Sequence, residues 1–145
     1  MFKNILVPTD GSDLAVKAVE QGILLAKEIS AKITAVTVTE PFHLLSVKPS
    51  QLEYTPIEYK KYSEAHAETV LGRVSAAANS AGVACDVLHV EHEQVYQAII
   101  DAALARRCDL IVMASHGRRG ISAVVLGSQT VKVLTHSKIP VLVYR

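Results

Sequence analysis

Apolar and polar positions along this chain fall into blocks of two kinds. Five short runs rich in β-branched residues, Ile5–Val7, Ile33–Val38, Val83–Val90, Leu110–Met113 and Val141–Tyr144, read as strands. Between them apolar residues recur at helical spacing. From Leu14 to Ile29 they fall at Ala15, Ala18, Val19, Gly22, Ile23, Ala26 and Ile29, one face of a helix that Ser12 can cap. A second helix is predicted from Ile57 to Ala81, with Val70, Val74, Ala77 and Ala81 inward and Gly82 as its stop. A third runs from Gln94 to Arg106 on Val95, Ile99, Ala102 and Ala103. It places Arg106 and Arg107 by the last turn, where cations suit the negative helix end. A final helix begins at Ser128, read as its N-cap, and reaches His136 with Val131 and Leu134 inward.

Strands alternating with helices make βαβ units, so the expected fold class is α/β with a parallel, Rossmann-like sheet covered on both faces. Leu110-Ile111-Val112-Met113 is apolar without interruption, as a strand buried on both sides must be. There is no internal repeat or linker. The one irregular stretch, Thr39 to Thr55, carries Pro41, Phe42, Pro49 and Tyr54. That length inside a compact domain reads as a flap, a partner surface or plain disorder.

Composition narrows the function classes. A chain of 145 residues with 50% apolar content is expected to be a single domain, 1–145, with a core that needs no staples. Cys85 and Cys108 lack CxxC spacing and read as reduced, buried thiols. The start, Met1-Phe2-Lys3-Asn4, leads straight into a strand without a signal-peptide pattern, and no apolar run approaches the roughly 18 residues of a membrane span. The expectation is a cytoplasmic protein with no membrane contact. A net charge of +1 with scattered basic residues gives no footprint for nucleic acid.

In open α/β sheets ligands sit beyond the carboxyl ends of the strands, and two loops at such ends carry chemistry. The first is Val7-Pro8-Thr9-Asp10-Gly11-Ser12. Asp10 can accept hydrogen bonds from ribose hydroxyls, or it or Ser12 can simply cap the next helix. The second is Met113-Ala114-Ser115-His116-Gly117-Arg118-Arg119-Gly120, followed by Ile121 to Leu126 and Gly127-Ser128-Gln129-Thr130. Gly117 and Gly127 let backbone N–H groups approach an anion, a helix N-terminus attracts phosphate, and Arg118 and Arg119 can screen its charge. The competing view is an ordinary loop and cap with solvated arginines. No P-loop, GxGxxG, GxSxG or HExxH pattern occurs. Ser12, Ser115 and Thr9 have no evident base. His116 is the one histidine placed to position a water, so no catalytic residue is assigned.

Taken in order, Ile5 to Ser12, Asp109 to Gly117, Leu126-Gly127-Ser128 and Ile139 to Val143 resemble the universal stress protein family over nearly the whole chain. The resemblance implies a five-stranded parallel sheet of order 3-2-1-4-5 between about four helices. The family has a branch that binds ATP through G-x2-G-x9-G-[S/T] and a branch that does not. Gly117, Gly127 and Ser128 match that motif, while Ala114 stands where the first glycine belongs. Carried over, the resemblance implies that Asp10 holds the ribose while Pro8 and Thr9 line the base side. Val38 presents backbone to adenine with Met113 beside it. Gly117, Arg118, Gly127, Ser128, Gln129 and Thr130, close to Ala114 and His116, surround the phosphates. ATP or another adenine nucleotide, with Mg²⁺, is the implied ligand. The implied assembly is a homodimer through the last strand, residues 140–145, with an unidentified protein as further partner. The branch that binds no nucleotide leaves a protein-interaction module as the alternative, and slow ATP hydrolysis as a second.

Overall fold

Five strands and four helices alternate along the chain in the computed structural model, which describes residues 1–42, 51, 54–117 and 125–145. They are β1 (Asn4–Pro8), α1 (Asp13–Ile29), β2 (Lys32–Thr39), α2 (Pro56–Ala81), β3 (Cys85–Glu91), α3 (Val95–Ala105), β4 (Leu110–Ala114), α4 (Ser128–His136) and β5 (Val141–Tyr144). Every pairing is parallel and the order is β3-β2-β1-β4-β5, as the resemblance implied. The expectations for residues 43–50, 52–53 and 118–124, among them Pro49, Arg118 and Arg119, lie outside the described residues.

Side chains alternate across a strand, and this alternation builds the two halves of the core. Ile5, Val7, Ile33, Ala35, Leu110 and Val112 pack with Val19, Ile23, Leu71, Val74 and Ala78 of α1 and α2. Leu6, Val36, Ile111 and Met113 point the other way, onto Ile99, Ala102, Ala103 and Val133 of α3 and α4. Ile5, Leu6 and Val7 are fully buried, each such side chain stabilising by about 1.5–3 kcal/mol. A Cβ on Gly22 would stand 3.2 Å from Val7 Cγ2 and 3.7 Å from Val112 Cγ1. The missing side chain is what lets α1 lie close on the sheet.

Helix ends follow capping chemistry. The Ser12 hydroxyl accepts from Ala15 N–H at 3.4 Å. Thr55 and Glu58 form a reciprocal capping box that starts α2 at Pro56, one residue earlier than periodicity suggested. Gly82 closes α2 at φ 73°. Val83, expected to open β3, instead donates its N–H to Ala78 O and is buried beneath the end of α2, so β3 begins at Cys85. α3 stops at Ala105. Arg106 is its C-cap and Arg107 lies beyond in the left-handed region at φ 54°, one step past the expected last turn.

Two inward faces differ from expectation. On α2 the buried residues are Ser63, Ala67, Val70, Leu71, Val74 and Ala78, and Ala77 is exposed. On α4 Thr130 and Val133 face inward, while Val131 and Leu134 are 45% and 41% exposed. The cause on α4 is polar: Thr130 Oγ1 donates to Ala114 O at 3.0 Å in a buried setting, which fixes the helix's rotation. At the opposite end of the sheet, Asp109 accepts from the N–H groups of Lys3 and Asn4. Asn4 in turn donates through Nδ2 to Arg106 O and accepts from Thr34 Oγ1. These bonds tie the starts of β1, β2 and β4 together.

Gly22→Leu forces a side chain into the α1–sheet contact. Urea denaturation should show a loss of about 1–3 kcal/mol, the usual cost of overpacking.

Candidate functional site

β1 pairs with β2 only as far as Pro8 opposite Val36, yet β2 runs on to Thr39. Successive residues of a strand turn their backbone groups to opposite sides. Ile33 N–H donates to Ala84 O and Thr39 O accepts from His92 N–H, so odd positions of β2 face β3. Lys32 N–H donates to Lys3 O and Val36 O accepts from Thr9 N–H, so even positions face β1. Val38 is even and lies beyond the end of β1. Its N–H and C=O therefore point into the space that β1 has left.

The chain departs from β1 through a tight turn. Thr9 Oγ1 accepts from Gly11 N–H at 3.2 Å, Thr9 O accepts from Thr37 Oγ1 at 2.9 Å, and Gly11 takes φ 80°. Asp10 Oδ1 accepts from Ser12 N–H at 2.9 Å. Ser12 supplies the helix cap, which leaves Asp10 as a turn residue whose second oxygen faces the β4 loop. There a Cβ on Gly117 would stand 2.5 Å from Asp10 Oδ2, so any side chain at 117 must displace the carboxylate.

Beyond β4, Ser115 N–H donates to Tyr144 O at 2.8 Å, and Gly127 N–H donates to Ser115 O at 2.7 Å. Gly127, not Ser128, is the N-cap of α4, with φ −62° and no side-chain cap. Its N–H donates to the Ser115 carbonyl. Space is what demands glycine here: a Cβ would lie 3.1 Å from His116 Cα and 3.2 Å from Ser115 O. Ser128, Gln129 and Thr130 form the first turn of α4, whose N–H groups have no partner within the helix. Gln129 has a second duty. Its Oε1 accepts from Tyr96 N–H at 3.0 Å, capping α3, whose own N-cap Gln94 makes no side-chain capping bond.

A cleft gathers these groups. Pro8, Thr9, Asp10, Val38, Met113, Ala114, His116, Gly117, Gln129 and Thr130 line it together. Gly127 and Ser128 are not among its lining residues, and Arg118 lies outside the described residues. Sequence reasoning missed Ala15, Val36, Val95 and Ile99, which form the apolar floor. Their pattern is that of core residues, and nothing in it marks the part of a core that reaches an opening. Ala114 pairs opposite Tyr144 in β4. Among the described residues only Ser30 and Arg107 combine a side chain with positive φ, so position 114 makes no torsional demand for glycine.

The remaining chemistry is quiet. His116 Nδ1 lies 3.3 Å from Ser115 Oγ, a buried hydroxyl. Burial pushes the Cys108 thiol up. Burial, helped by Asp86, does the same to the half-buried Cys85. Both are poor nucleophiles at neutral pH. Among the described residues no group of three His, Cys, Asp or Glu side chains could hold a metal ion, and no helix is long and apolar enough to cross a membrane.

Comparison with known proteins points one way. The sequence profile described as "Universal stress protein family" matches residues 1–145. A universal stress protein of Methanocaldococcus jannaschii is 32% identical over 149 residues, covering 100% of this chain and 83% of that protein. The universal stress protein UspA from Lactobacillus plantarum superposes with a TM-score of 0.83 at 26% identity, over 99% of this chain and 97% of its own. A universal stress protein solved in complex with cAMP gives a TM-score of 0.73 at 26% identity, over 99% and 97%.

Gln129→Ala removes the acceptor that holds the start of α3. Stability in urea should fall by about 1 kcal/mol, as for loss of a helix cap. Amide exchange at Tyr96 should accelerate, while Gln129→Glu, which keeps the acceptor, should leave that exchange slow.

Proposed function

The chain belongs to the universal stress protein family, and we propose that within it the protein is a dimeric module that binds an adenine nucleotide, ATP foremost, as a ligand or signal in the response to stress. One observation carries this reading: the backbone of Val38 faces an apolar slot that has the Asp10 carboxylate at its mouth. Adenine carries an acceptor, N1, next to a donor, the N6 amino group. One peptide N–H and C=O pair on the same side of a strand can answer both. Val36, Val95, Ile99 and Met113 supply faces for the ring. Asp10 then accepts from the ribose hydroxyls through charge-assisted bonds.

The 5′ side of such a nucleotide runs past Gly117 toward the first turn of α4. There the N–H groups of Ser128, Gln129 and Thr130 and the positive helix end suit phosphate. Arg118, next along the chain from Gly117, is the nearest cation in sequence, and magnesium would ride on the phosphate oxygens. Ala114 fits this reading despite the departure from the motif, because its backbone is ordinary strand. The relative crystallised with cAMP supports an adenine ligand. No catalytic residue is assigned: among the described residues, His116 has the buried Ser115 hydroxyl at 3.3 Å.

For the dimer, β5 is an edge strand. Leu142 is 42% exposed on it, and an apolar edge invites pairing with a second copy.

Isothermal calorimetry with ATP and magnesium should give a saturable heat, and ligand at about a thousand times Kd should raise the melting temperature by roughly 10 °C. Asp10→Ala should weaken binding by about 1.5–3 kcal/mol, and Gly117→Ala should also weaken it by pushing the carboxylate aside. A wild type with neither heat nor shift would make the interaction-module reading the better one. Sedimentation should show a dimer at micromolar concentration and a shift toward monomer in Leu142→Lys. A wild type that sediments as a monomer removes the proposed assembly.

A further inference from the structure

On the α2 side of Asp10 and Val38 lies a second cleft, which shares those two residues with the nucleotide slot. Its other wall is aromatic: Tyr54, Tyr59, Tyr62 and His66. Three of these rings form a ladder. Tyr54 and Tyr62 lie 5.3 Å apart at 25°, and Tyr62 and His66 lie 6.3 Å apart at 13°. Part of this cluster is structural. Tyr59 donates to Glu40 O at 2.8 Å and packs against Phe42 at 5.6 Å, which pins the chain leaving β2 onto α2. Tyr62 has no such duty in the core. It is 49% exposed, on a helix whose buried face is formed by Ser63, Ala67 and Val70. Apart from His66, the polar groups that share the cleft among the described residues, Asp10, Thr37, Thr39, Glu40 and Ser63, carry oxygens, and no lysine or arginine lines it. A planar group with an N–H donor suits this lining, and a phosphate does not.

The order of groups along the ligand decides how such a ring would be attached. With ribose on Asp10, the 5′ oxygen leads toward Gly117 and α4, away from the tyrosines. The 2′ and 3′ oxygens are the ones that Asp10 meets, and Asp10 is where the two clefts join. We propose that the tyrosine-lined cleft receives a planar, amine-bearing ring carried on the 2′ or 3′ oxygen of the bound adenine nucleotide. The second ribose hydroxyl stays on Asp10. This inference rests on the nucleotide reading given above and extends it to the class of nucleotide that binds best: one substituted on the ribose.

The probe is 2′/3′-O-(N-methylanthraniloyl)-AMP, which places a fluorescent ring with an N–H on that oxygen, compared with AMP itself. Titration by fluorescence and by competition should show the probe binding about tenfold more tightly than AMP, within the range of one added aromatic pair in edge-to-face or offset contact. The advantage should vanish in Tyr62→Leu and persist in Tyr62→Phe, with AMP affinity unchanged in both and melting curves confirming that both fold. A probe no tighter than AMP, or an advantage that survives Tyr62→Leu, overturns the second cleft and leaves the adenine reading standing. Failure of AMP and ATP alike to bind the wild type removes the adenine reading, and this inference with it.

Discussion

In a parallel sheet each interior strand must satisfy its backbone on both sides, and β1 pairs with β2 only to Pro8, while β2 continues through Thr37, Val38 and Thr39. The features of the candidate site follow from that mismatch. β1 sits where the strand order reverses, with β2 on one side and β4 on the other. The helices after β1 and β4 leave toward opposite faces, and a crevice must open between them. The turn at Gly11 sends the chain into α1 and sets Asp10 against Gly117. The same departure leaves Val38 facing the crevice instead of a strand. A backbone pair on a rigid strand is a better recognition element than a side chain, since it brings no rotamer entropy to lose on binding.

The Gly117 and Gly127 side of the cleft is built by steric fit. Gly117 and Gly127 are required by what stands beside them, a carboxylate oxygen in one case and the His116 backbone in the other. Neither contributes through an unusual torsion. This separates them from Ala114, where a methyl group is accommodated in regular β backbone. Three glycines that look equivalent in a family motif therefore carry different physical demands. The chain departs from the motif at the position whose backbone is the most ordinary.

Much of this was legible beforehand, because strand and helix periods differ and the chain obeys both. Ile5–Val7 and Leu110–Met113 announced the central strands, and Ser12 and Gly82 marked helix ends. The sheet order came only from the family resemblance, since spacing in sequence does not say which strands are neighbours. Legibility failed where a polar bond outweighed apolar pattern. Val131 and Leu134 promise an inward face on α4, but the buried Thr130 hydroxyl needs the Ala114 carbonyl and turns them to solvent. Val83 looks like a strand residue and is used to seal the end of α2. In the site, Asp10 and Gly117 were visible as residue types, whereas their contact was not. Gln129 drew notice as a neighbour of phosphate, and its bond to Tyr96 depends on how two helices meet.

One relay of backbone bonds links the last strand, the end of β4 and the head of α4. The Tyr144 carbonyl holds the Ser115 amide, and the Ser115 carbonyl holds the Gly127 amide at the head of α4. Each link is short and local, but in series they couple the last strand to the head of α4. Fraying of β5 would reach α4 within two hydrogen bonds. In the dimer proposed above, a second copy seated along β5 would suppress that fraying and so hold the crevice in shape. Assembly and occupancy would then be two readouts of one equilibrium, and dilution alone would act as an antagonist of the ligand.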